Sequence, residues 1–580
     1  MMSSAMKLYQ EWLSNEAFDE KTRAELAAIA GDQSEIEDRF YTSLSFGTAG
    51  LRGVLGAGTN RMNFYTVAAA ADAFAQYIVS EGDDAKKRGI AISYDSRNFS
   101  REFAVLTARI FTAHGVKVYL SDELRPVPLL SFAIRYYKTY GGVMITASHN
   151  PARYNGFKAY GEDGGQMPPE AADVIADNMN RKQDLPSLLD IHEEVLARQG
   201  DLWQDIGEDL DQAYNSMLLS LAVHPEAVKS QKDLKIVYTP LHGSGNKPVR
   251  RILASMGFNN VLVVPEQEQP DGNFPTVSYP NPEEREALDL AIKLAASEGA
   301  DLVIATDPDA DRTGLCVRDS EGKYQVLTGN QIGLLLMDYI LKGRQETGSL
   351  PEKSFVVNSI VSTRLSRRVA AAYGVEAYEV LTGFKYIGEM IKQKDEFGDW
   401  HFQFGFEESF GYLAGTDVRD KDAVVASMLI AEMAAVAAGQ GKTIYDLLQE
   451  LYQRFGYAAE KTVSITLEGK AGIEKIQSAM SAMRTARAQG IEGVAVKRVL
   501  DFADGTVIDM SSGSEDKLDF PASDVLLYEL DGLDWFCIRP SGTEPKIKIY
   551  FGVYGDDLNK CRSGLAELEK IVREALQKNL

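Results

Sequence analysis

Apolar and polar positions along this chain predict layers of helices and strands. Over the first 45 residues Leu8, Trp12, Leu26 and Ile29 fall on apolar stripes among charges, the spacing of amphipathic helices. A different unit then recurs: a short, continuously apolar run that ends in a polar tip and is followed by helical sequence. Arg88-Gly89-Ile90-Ala91-Ile92-Ser93-Tyr94-Asp95 is the first. Asp233-Leu234-Lys235-Ile236-Val237-Tyr238-Thr239-Pro240 is the second, with Gly243 and Gly245 beyond it and a helix from about Lys247. Ser354-Phe355-Val356-Val357-Asn358-Ser359 is the third. Such runs read as strands buried on both faces, so three α/β domains are expected, alike in pattern rather than in sequence. After Gly439-Gln440-Gly441 and a helix over 443–455 the character changes. A strand over 461–467, a helix over 472–486, strands around Val496, Val525, Trp535 and Ile549, and a last helix over 558–576 predict a smaller α+β domain. The expected division is 1–205, 206–326, 327–458 and 459–580. Gln183 to Pro186 opens a helical bridge to the second domain, and the apolar helix Gln331 to Ile340 starts the third.

Composition agrees with a multidomain globular chain. Its 580 residues exceed one hydrophobic core, and 45% hydrophobic with 25% charged is ordinary for folded protein. The most apolar helix, Ala423 to Ala438, carries Glu432 in its middle, so no segment reads as a membrane span. The N-terminus lacks the apolar core of a signal peptide. Cys316, Cys537 and Cys561 are too few and too scattered for a disulfide framework or a metal cluster. A reduced, cytoplasmic protein is expected. The net charge of -23 repels nucleic acid and anionic membranes, and it repels phosphate esters too. Phosphate chemistry here therefore requires a local cluster of cations. Arg52, Lys158, Arg312, Lys385, Arg539 and Lys546 all sit in or beside motifs rich in glycine or proline.

Four motifs carry candidate chemistry. Val143-Met144-Ile145 runs as a buried strand into Thr146-Ala147-Ser148-His149-Asn150-Pro151, a polar tip that delivers Ser148 as a candidate covalent phosphate carrier. Leu302-Val303-Ile304-Ala305 runs into Thr306-Asp307-Pro308-Asp309-Ala310-Asp311-Arg312. Carboxylates at every second position repel one another unless a cation binds them or water surrounds them, and oxygen-only donors suit Mg²⁺ or Ca²⁺. A calcium-binding EF-hand loop needs Gly at its sixth position and Glu at its twelfth, where this chain has Arg312 and Arg318, so that reading fails. Mg²⁺ binds few carboxylates plus a phosphate oxygen, and Arg312 is placed to hold that phosphate. In Gly405-Phe406-Glu407-Glu408-Ser409, Glu407 and Ser409 are two apart on what reads as an extended loop, so they face one side and Glu408 points elsewhere. Arg539-Pro540-Ser541-Gly542-Thr543 joins a forked cation, two hydroxyls and glycine-exposed backbone N–H groups, a phosphate cradle. Lys546 either adds charge to it or lines the following strand, and Lys385 is a phosphate or sugar contact. The other five histidines lack metal-ligand spacing.

In this order the serine loop, metal loop, sugar loop and phosphate loop resemble the α-D-phosphohexomutase superfamily, the phosphoglucomutases and phosphomannomutases. Phe46-Gly47-Thr48-Ala49-Gly50-Leu51-Arg52-Gly53 extends the match and is most like the bacterial α-phosphoglucomutases. The resemblance implies three similar α/β domains with mixed sheets plus a smaller C-terminal α+β domain around a central cleft. It implies that Ser148 carries a phosphoryl group. Asp307, Asp309 and Asp311 would bind Mg²⁺ together with an oxygen of that phosphoserine. Glu407 and Ser409 would bind sugar hydroxyls. Arg539, Ser541, Gly542 and Thr543 would hold the phosphate that does not react.

The expected reaction interconverts α-D-glucose 1-phosphate and glucose 6-phosphate through phospho-Ser148 and a glucose 1,6-bisphosphate intermediate, which also serves as activator. Arg312, with Arg52 nearby, would offset charge on the transferring group. Lys158, in Tyr154-Asn155-Gly156-Phe157-Lys158, is the first candidate for the base, because a lysine beside a divalent cation and an arginine is expected to have its pKa lowered. His149 is the second candidate, with an orienting or phosphate-binding role. Phosphomannomutase, phosphopentomutase and glucose 1,6-bisphosphate synthase activities are the alternatives. Partners are limited to small sugar phosphates, with no nucleic acid and no membrane, in a monomer or homodimer. A serine hydrolase would need a G-x-S-x-G elbow, which Thr-Ala-Ser-His-Asn does not supply.

Overall fold

The computed structural model describes residues 3–47, 50–181, 184–190, 200–467, 469–541 and 546–578. Helices Ser4–Ser14, Glu20–Ala28 and Gln33–Phe40 form where the apolar stripes predict them, each started by a side-chain cap from Ser3, Asp19 and Asp32. They close over an aromatic cluster of Tyr9, Trp12, Phe18, Phe40 and Tyr65.

The first sheet has strands β1 (Gly50–Val54), β2 (Ile90–Tyr94), β3 (Val118–Ser121), β4 (Gly141–Ile145), β5 (Tyr154–Gly161) and β6 (Trp203–Ile206), in the order β1-β5-β4-β2-β3-β6. β2, β3, β4 and β6 run parallel, and β5 runs against them between β4 and β1, pairing antiparallel with both. Of the expected helical bridge, Pro186–Leu189, Glu208–Ser220 and Pro225–Ser230 are helical and 191–199 lie outside the described residues, while strand β6 is an addition. Leu202 accepts a backbone hydrogen bond from Val118 and the run that follows extends the sheet edge, a long-range pairing that no local pattern announces.

The second sheet repeats the plan with β7 (Ile236–Thr239), β8 (Val261–Val263), β9 (Leu302–Thr306), β10 (Thr313–Arg318) and β11 (Tyr324–Val326), ordered β11-β10-β9-β7-β8. In both sheets a central parallel strand (β2, β7) is flanked by a second (β4, β9), which turns back into an antiparallel partner (β5, β10). The serine loop and the metal loop are these two equivalent turns, at the carboxyl ends of parallel strands where α/β sheets present ligand-binding groups.

Strands β12 (Ser354–Ser359), β13 (Glu376–Val380) and β14 (His401–Glu407) pair in parallel around β12, and β15 (Gly411–Leu413) follows. Helix Ala423–Gly439 is apolar on all sides because it is buried on all sides. Its Glu432 accepts backbone hydrogen bonds from Val223 and His224 at 2.9–3.1 Å, which explains an acidic residue inside an apolar helix.

The C-terminal sheet is antiparallel throughout. β16 (Tyr457–Thr466), β17 (Arg498–Asp501), β18 (Thr506–Asp509), β19 (Glu515–Lys517), β20 (Leu526–Glu529), β21 (Trp535–Pro540) and β22 (Lys546–Gly555) run in the order β16-β22-β21-β20-β17-β18-β19. Helices Gly469–Thr485 and Leu558–Gln577 supply side chains to its core. β18 and β19 were silent in the sequence because β19 is exposed at every position and carries no apolar period. The chain forms two compact units. One comprises Met1–Ile332, Gly388–Gly398 and Ser409–Ile444, and the other Gly333–Ile387, Asp399–Glu408 and Tyr445–Leu580.

Candidate functional site

Ser148 stands in the turn between β4 and β5 with φ 52°, a left-handed backbone that a serine holds only when its surroundings fix it. Its N–H donates to Thr146 Oγ1 at 2.8 Å. Thr146 in turn donates to Asp95 Oδ2 at 2.6 Å, a contact possible because β2 and β4 end side by side. Asp95 also accepts from the Arg97 N–H at 2.9 Å and from Ser100 Oγ at 2.8 Å. The Arg97 side chain is 0% exposed and grips the serine loop by its carbonyls. Its guanidinium donates to Pro151 O at 3.0 Å, Tyr154 O at 3.1 Å, Ser148 O at 2.5 Å and Asn150 O, while its Nε lies 3.4 Å from Asp95. Gly156 lets the strands close beneath this loop, since a Cβ there would stand 2.5 Å from Thr146 O and 2.8 Å from Leu51 O.

The metal loop faces Ser148. Asp307, Asp309 and Asp311 are all buried, and one oxygen from each lies within 4.8 Å of the others. Asp307 Oδ1 accepts the N–H groups of Asp311 and Arg312 at 3.0 Å, and Asp307 Oδ2 accepts from Ser148 Oγ at 2.9 Å. Lys158 Nζ lies 2.8 Å from Asp309 Oδ2 and 3.6 Å from Asp311 Oδ2, and Lys421 Nζ lies 3.0 Å from Asp311 Oδ2. The backbone is held from several sides: Pro308 O accepts from Ser244 N at 2.8 Å and Oγ at 2.7 Å, Asp309 O from Val127 N at 2.9 Å, and Ala310 O from Ala423 N at 3.2 Å.

These residues fit a hard divalent cation. The donors are all oxygen, and Asp309 Oδ1 and Asp311 Oδ1 are buried without a hydrogen-bond partner among the described residues, which a buried carboxylate tolerates poorly unless a cation takes the place. Burial and then the charges of Asp309 and Asp311 push the Asp307 carboxyl well above the usual range. Burial acts in the same sense on Asp311, but Lys421, Lys158 and Arg312 outweigh it and hold that carboxyl below the usual range.

The remaining candidates of this unit gather around the same serine. His149 Nδ1 is 3.1 Å from Ser148 Oγ, and burial followed by the charges of Arg312 and Arg52 holds its pKa well below the ordinary value, so the imidazole is neutral. Arg312 pairs with Glu283 at 2.6 Å. Arg52 projects from β1 at the position paired with Gly156. The expected lowering of the Lys158 pKa is not what the site produces. Burial does pull it down, but the carboxylates of Asp309 and Asp311 more than offset that and raise it. Lys158 is therefore a firmly protonated ammonium wherever those carboxylates keep their full charge.

In the other unit Glu407 ends β14 and its Oε1 accepts from Gly383 N–H at 2.7 Å. The chain turns at 408–410, so the extended loop expected to put Glu407 and Ser409 on one side is not formed, and Ser409 lies in that turn as the first residue of the chain's return to the first unit. Glu408 accepts from Ser359 Oγ at 3.0 Å, and burial followed by the charge of Glu407 pushes its carboxyl up to about 7. Lys385 lies near the N-terminus of helix Phe384–Ile391 with its Nζ 4.8 Å over the Tyr386 ring. Arg539 belongs to β21, paired with Lys548 of β22, and Ser541 donates its N–H to Lys546 O at 2.7 Å. Gly542 and Thr543 lie outside the described residues.

Sequence reasoning missed Arg97, Lys421 and Glu283. Arg97 had a usable signal, two residues beyond the polar tip Asp95 of a buried strand. Lys421 had a weaker one: it sits in Arg419-Asp420-Lys421-Asp422, a run of alternating charge directly before a wholly apolar helix. Asp422 serves there as N-cap.

Comparison with known proteins agrees with this geometry. The models of phosphoglucomutase/phosphomannomutase α/β/α domains I, II and III match residues 43–185, 212–322 and 328–455. The chain belongs to the phosphoglucomutase/phosphomannomutase family. It is an enzyme, an isomerase of the phosphohexomutase kind, with three α/β/α domains and a fourth built on an antiparallel sheet. It is similar to a phosphoglucomutase of Staphylococcus epidermidis, 39% identical over 90% of this chain and 93% of that one. A phosphoglucomutase of Staphylococcus saprophyticus is 36% identical over 90% of this chain and 92% of that one. Two solved structures share the fold. A putative phosphomannomutase of Thermus thermophilus has TM-score 0.65 at 22% identity, covering 92% of this chain and 99% of that one. The open form of parafusin, a phosphoglucomutase from Paramecium, has TM-score 0.66 at 19% identity, covering 92% and 96%. Among the described residues of this family member, no single helix is long and apolar enough to cross a membrane.

Proposed function

We propose that this enzyme is a phosphoglucomutase that interconverts α-D-glucose 1-phosphate and glucose 6-phosphate through a phosphorylated Ser148. The observation that carries the reading is a single contact: Ser148 Oγ donates at 2.9 Å to Asp307 inside a buried cluster of three carboxylates. A hydroxyl held there is next to the donors that suit Mg²⁺ and to the cations that suit a phosphate. In the forward half-reaction the bond between phosphorus and Ser148 Oγ breaks and a bond to the C6 oxygen of glucose 1-phosphate forms. The C6 hydroxyl proton passes to a base, and glucose 1,6-bisphosphate results. The intermediate then presents its other phosphate, which returns to Ser148 Oγ, and the C1 oxygen takes the proton back.

The chain's own residues divide this work. Asp307, Asp309 and Asp311 would hold Mg²⁺, which when bound supplies charge stabilisation to the transferring phosphoryl. Arg312 and Arg52 add positive charge, and Arg97 fixes the serine in place. Lys158 is the proton carrier of this reading, because it is buried against Asp309 and its charge answers to how that carboxylate is engaged. Neutral His149 orients Ser148 Oγ. Glu407, Ser409 and Lys385 would bind the sugar, and Arg539, Ser541, Gly542 and Thr543 the distal phosphate. The four domains of the reading are 1–205, 206–326, 327–458 and 459–580. Glucose 1,6-bisphosphate is the activator, and the enzyme is cytoplasmic, a monomer or homodimer that acts on free sugar phosphates.

The test is a panel of glucose, mannose and pentose 1-phosphates with Mg²⁺ and glucose 1,6-bisphosphate, run alongside intact-mass measurement. Glucose 1-phosphate is expected to turn over fastest, with one phosphoryl on the wild-type chain and none on Ser148→Ala. Full activity in Ser148→Ala would reject the phosphoserine route, and a faster mannose or pentose substrate would reject the sugar.

A further inference from the structure

The guanidinium that grips the serine loop has an aromatic ring against it. Arg97 Cζ lies over the Phe274 ring, 5.0 Å from its centroid, and both residues are buried within the first compact unit. Phe274 comes from the loop after helix Pro265–Glu268, in Gln269-Pro270-Asp271-Gly272-Asn273-Phe274. Its φ is 46°, a left-handed backbone that is an outlier for so bulky a residue and persists only where the surroundings fix it. An Asx turn supplies part of that restraint. Asn273 N–H donates to Asp271 Oδ1 at 2.8 Å, and Phe274 N–H donates to Asp271 O at 3.2 Å.

The loop is tied down on two sides. On one it rests on the turn that carries Arg97. A Cβ at Gly272 would stand 2.4 Å from Asn98 N and 2.9 Å from Arg97 C, so backbone lies directly on backbone. Asn98 Nδ2 also donates to Asn273 Oδ1 at 3.0 Å. On the other side the loop is bonded to His242. Asp271 N–H donates to His242 O at 3.3 Å. The imidazole donates from Nδ1 to Gln269 O at 3.2 Å, and its Nε2 accepts from Thr276 Oγ1 at 2.9 Å. Burial holds the His242 pKa below its ordinary value, which favours that neutral ring. Two residues on, Ser244 donates its N–H and its hydroxyl to Pro308 O of the metal loop. One short loop thus joins what supports the metal loop to what supports the serine loop.

A guanidinium shut off from water needs compensation on every side. Asp95 and the loop carbonyls supply it around the edge of Arg97, and the Phe274 ring supplies it on a face. An aromatic face attracts a cation more strongly where water is excluded. It also fixes the plane of the fork, and that plane decides which carbonyls the N–H groups reach.

We propose that Phe274 is a positioning residue for phosphoryl transfer. Its ring orients the Arg97 guanidinium, and through that fork the 269–276 loop sets where Ser148 Oγ stands relative to the aspartates. The inference rests on the reading of Ser148 as the phosphoryl carrier and adds a residue that acts on that serine only through Arg97.

The test changes position 274 of the full chain in two ways: Phe274→Leu, and pentafluorophenylalanine incorporated in place of Phe274, which keeps the ring's outline while reversing the charge of its face. Glucose 1-phosphate turnover is measured per folded enzyme with kcat and KM separated, and intact mass reports the phosphoryl group on each chain. Both changes are expected to lower kcat about tenfold and to leave KM within about twofold, because the ring acts on the serine and not on the sugar. A side chain that only filled the core would alter the folded fraction and leave kcat per folded enzyme alone. Wild-type kcat in folded Phe274→Leu, wild-type kcat with the fluorinated ring, or a loss confined to KM each overturns the proposal. If Phe274→Leu does not fold, the fluorinated chain decides, since its shape is retained. A wild-type chain that carries no phosphoryl group would instead sink the phosphoserine reading, and this inference with it.

Discussion

Arg97→Lys separates a residue that positions the serine from one that merely fills the core. The guanidinium spans four carbonyls of the loop, those of Ser148, Asn150, Pro151 and Tyr154, and sits against Asp95. A lysine keeps the charge beside Asp95, but one ammonium does not reach across that arc. At least two carbonyls then lose their donor, which at about 1 kcal/mol net per hydrogen bond costs about 2–3 kcal/mol of stability. The left-handed backbone of Ser148 loses the restraint on its own carbonyl, and the hydroxyl drifts from Asp307. A misplacement of about 1 Å in a reacting group lowers the rate about 10²-fold, close to 2.7 kcal/mol of barrier. The assay is glucose 1-phosphate turnover per folded enzyme, with the folded fraction taken from urea denaturation and KM measured separately from kcat. The expected outcome is a kcat about 10²-fold down with KM nearly unchanged, because Arg97 acts on the serine and not on the sugar. Arg97→Met, which leaves Asp95 buried without its cation, should lose about 3–5 kcal/mol and fold poorly. A kcat at the wild-type level in folded Arg97→Lys would refute the reasoning, whatever happened to stability.

Three further outcomes follow from individual groups. Glu408, raised from 4.5 to about 7, binds its proton more tightly in the folded chain than in the unfolded one, so its contribution is full below about 4.5 and is lost as pH rises through about 7. Urea denaturation should show stability declining over that window by up to about 3 kcal/mol, and Glu408→Gln should flatten the decline. Glu432→Ala removes the acceptor of the Val223 and His224 N–H groups and should cost about 3 kcal/mol in the same measurement, with Glu432→Gln costing less. A chelator should abolish activity and Mg²⁺ restore it. Because the Asp307 carboxyl is raised, metal titrations over a pH series should show affinity rising with pH as that proton leaves, and a pH-independent affinity would contradict the carboxylate cluster as the site.

What was legible in the sequence was whatever local pattern controls. The apolar runs at Ile90–Tyr94, Ile236–Thr239 and Ser354–Ser359 became strands because they have no polar face to give to water. Ser148 and the three aspartates were legible because strand followed by polar tip is itself a local signal, and the fold places those tips at equivalent turns of two sheets with one plan. What depends on pairing across the chain was not legible. Trp203–Ile206 is a strand only because β3 offers an edge, and Glu515–Lys517 is one only because β18 does. Lys421 reaches Asp311 from more than a hundred residues away, and nothing near it in sequence names that partner.

The Lys158 reversal has the same origin and carries a mechanistic consequence. The sequence supplied the cation, the metal and the arginine as neighbours, and from those a lowered pKa follows. It did not supply the 2.8 Å contact to Asp309, and that contact decides the sign. An ammonium held by the carboxylates that also suit the metal does not accept a proton while they keep their full charge. In the proposed reading, then, metal binding and base function would be linked through the same oxygens: a cation held by Asp309 and Asp311 would draw on the charge that keeps Lys158 protonated, and Lys158 would serve as proton acceptor only under that condition.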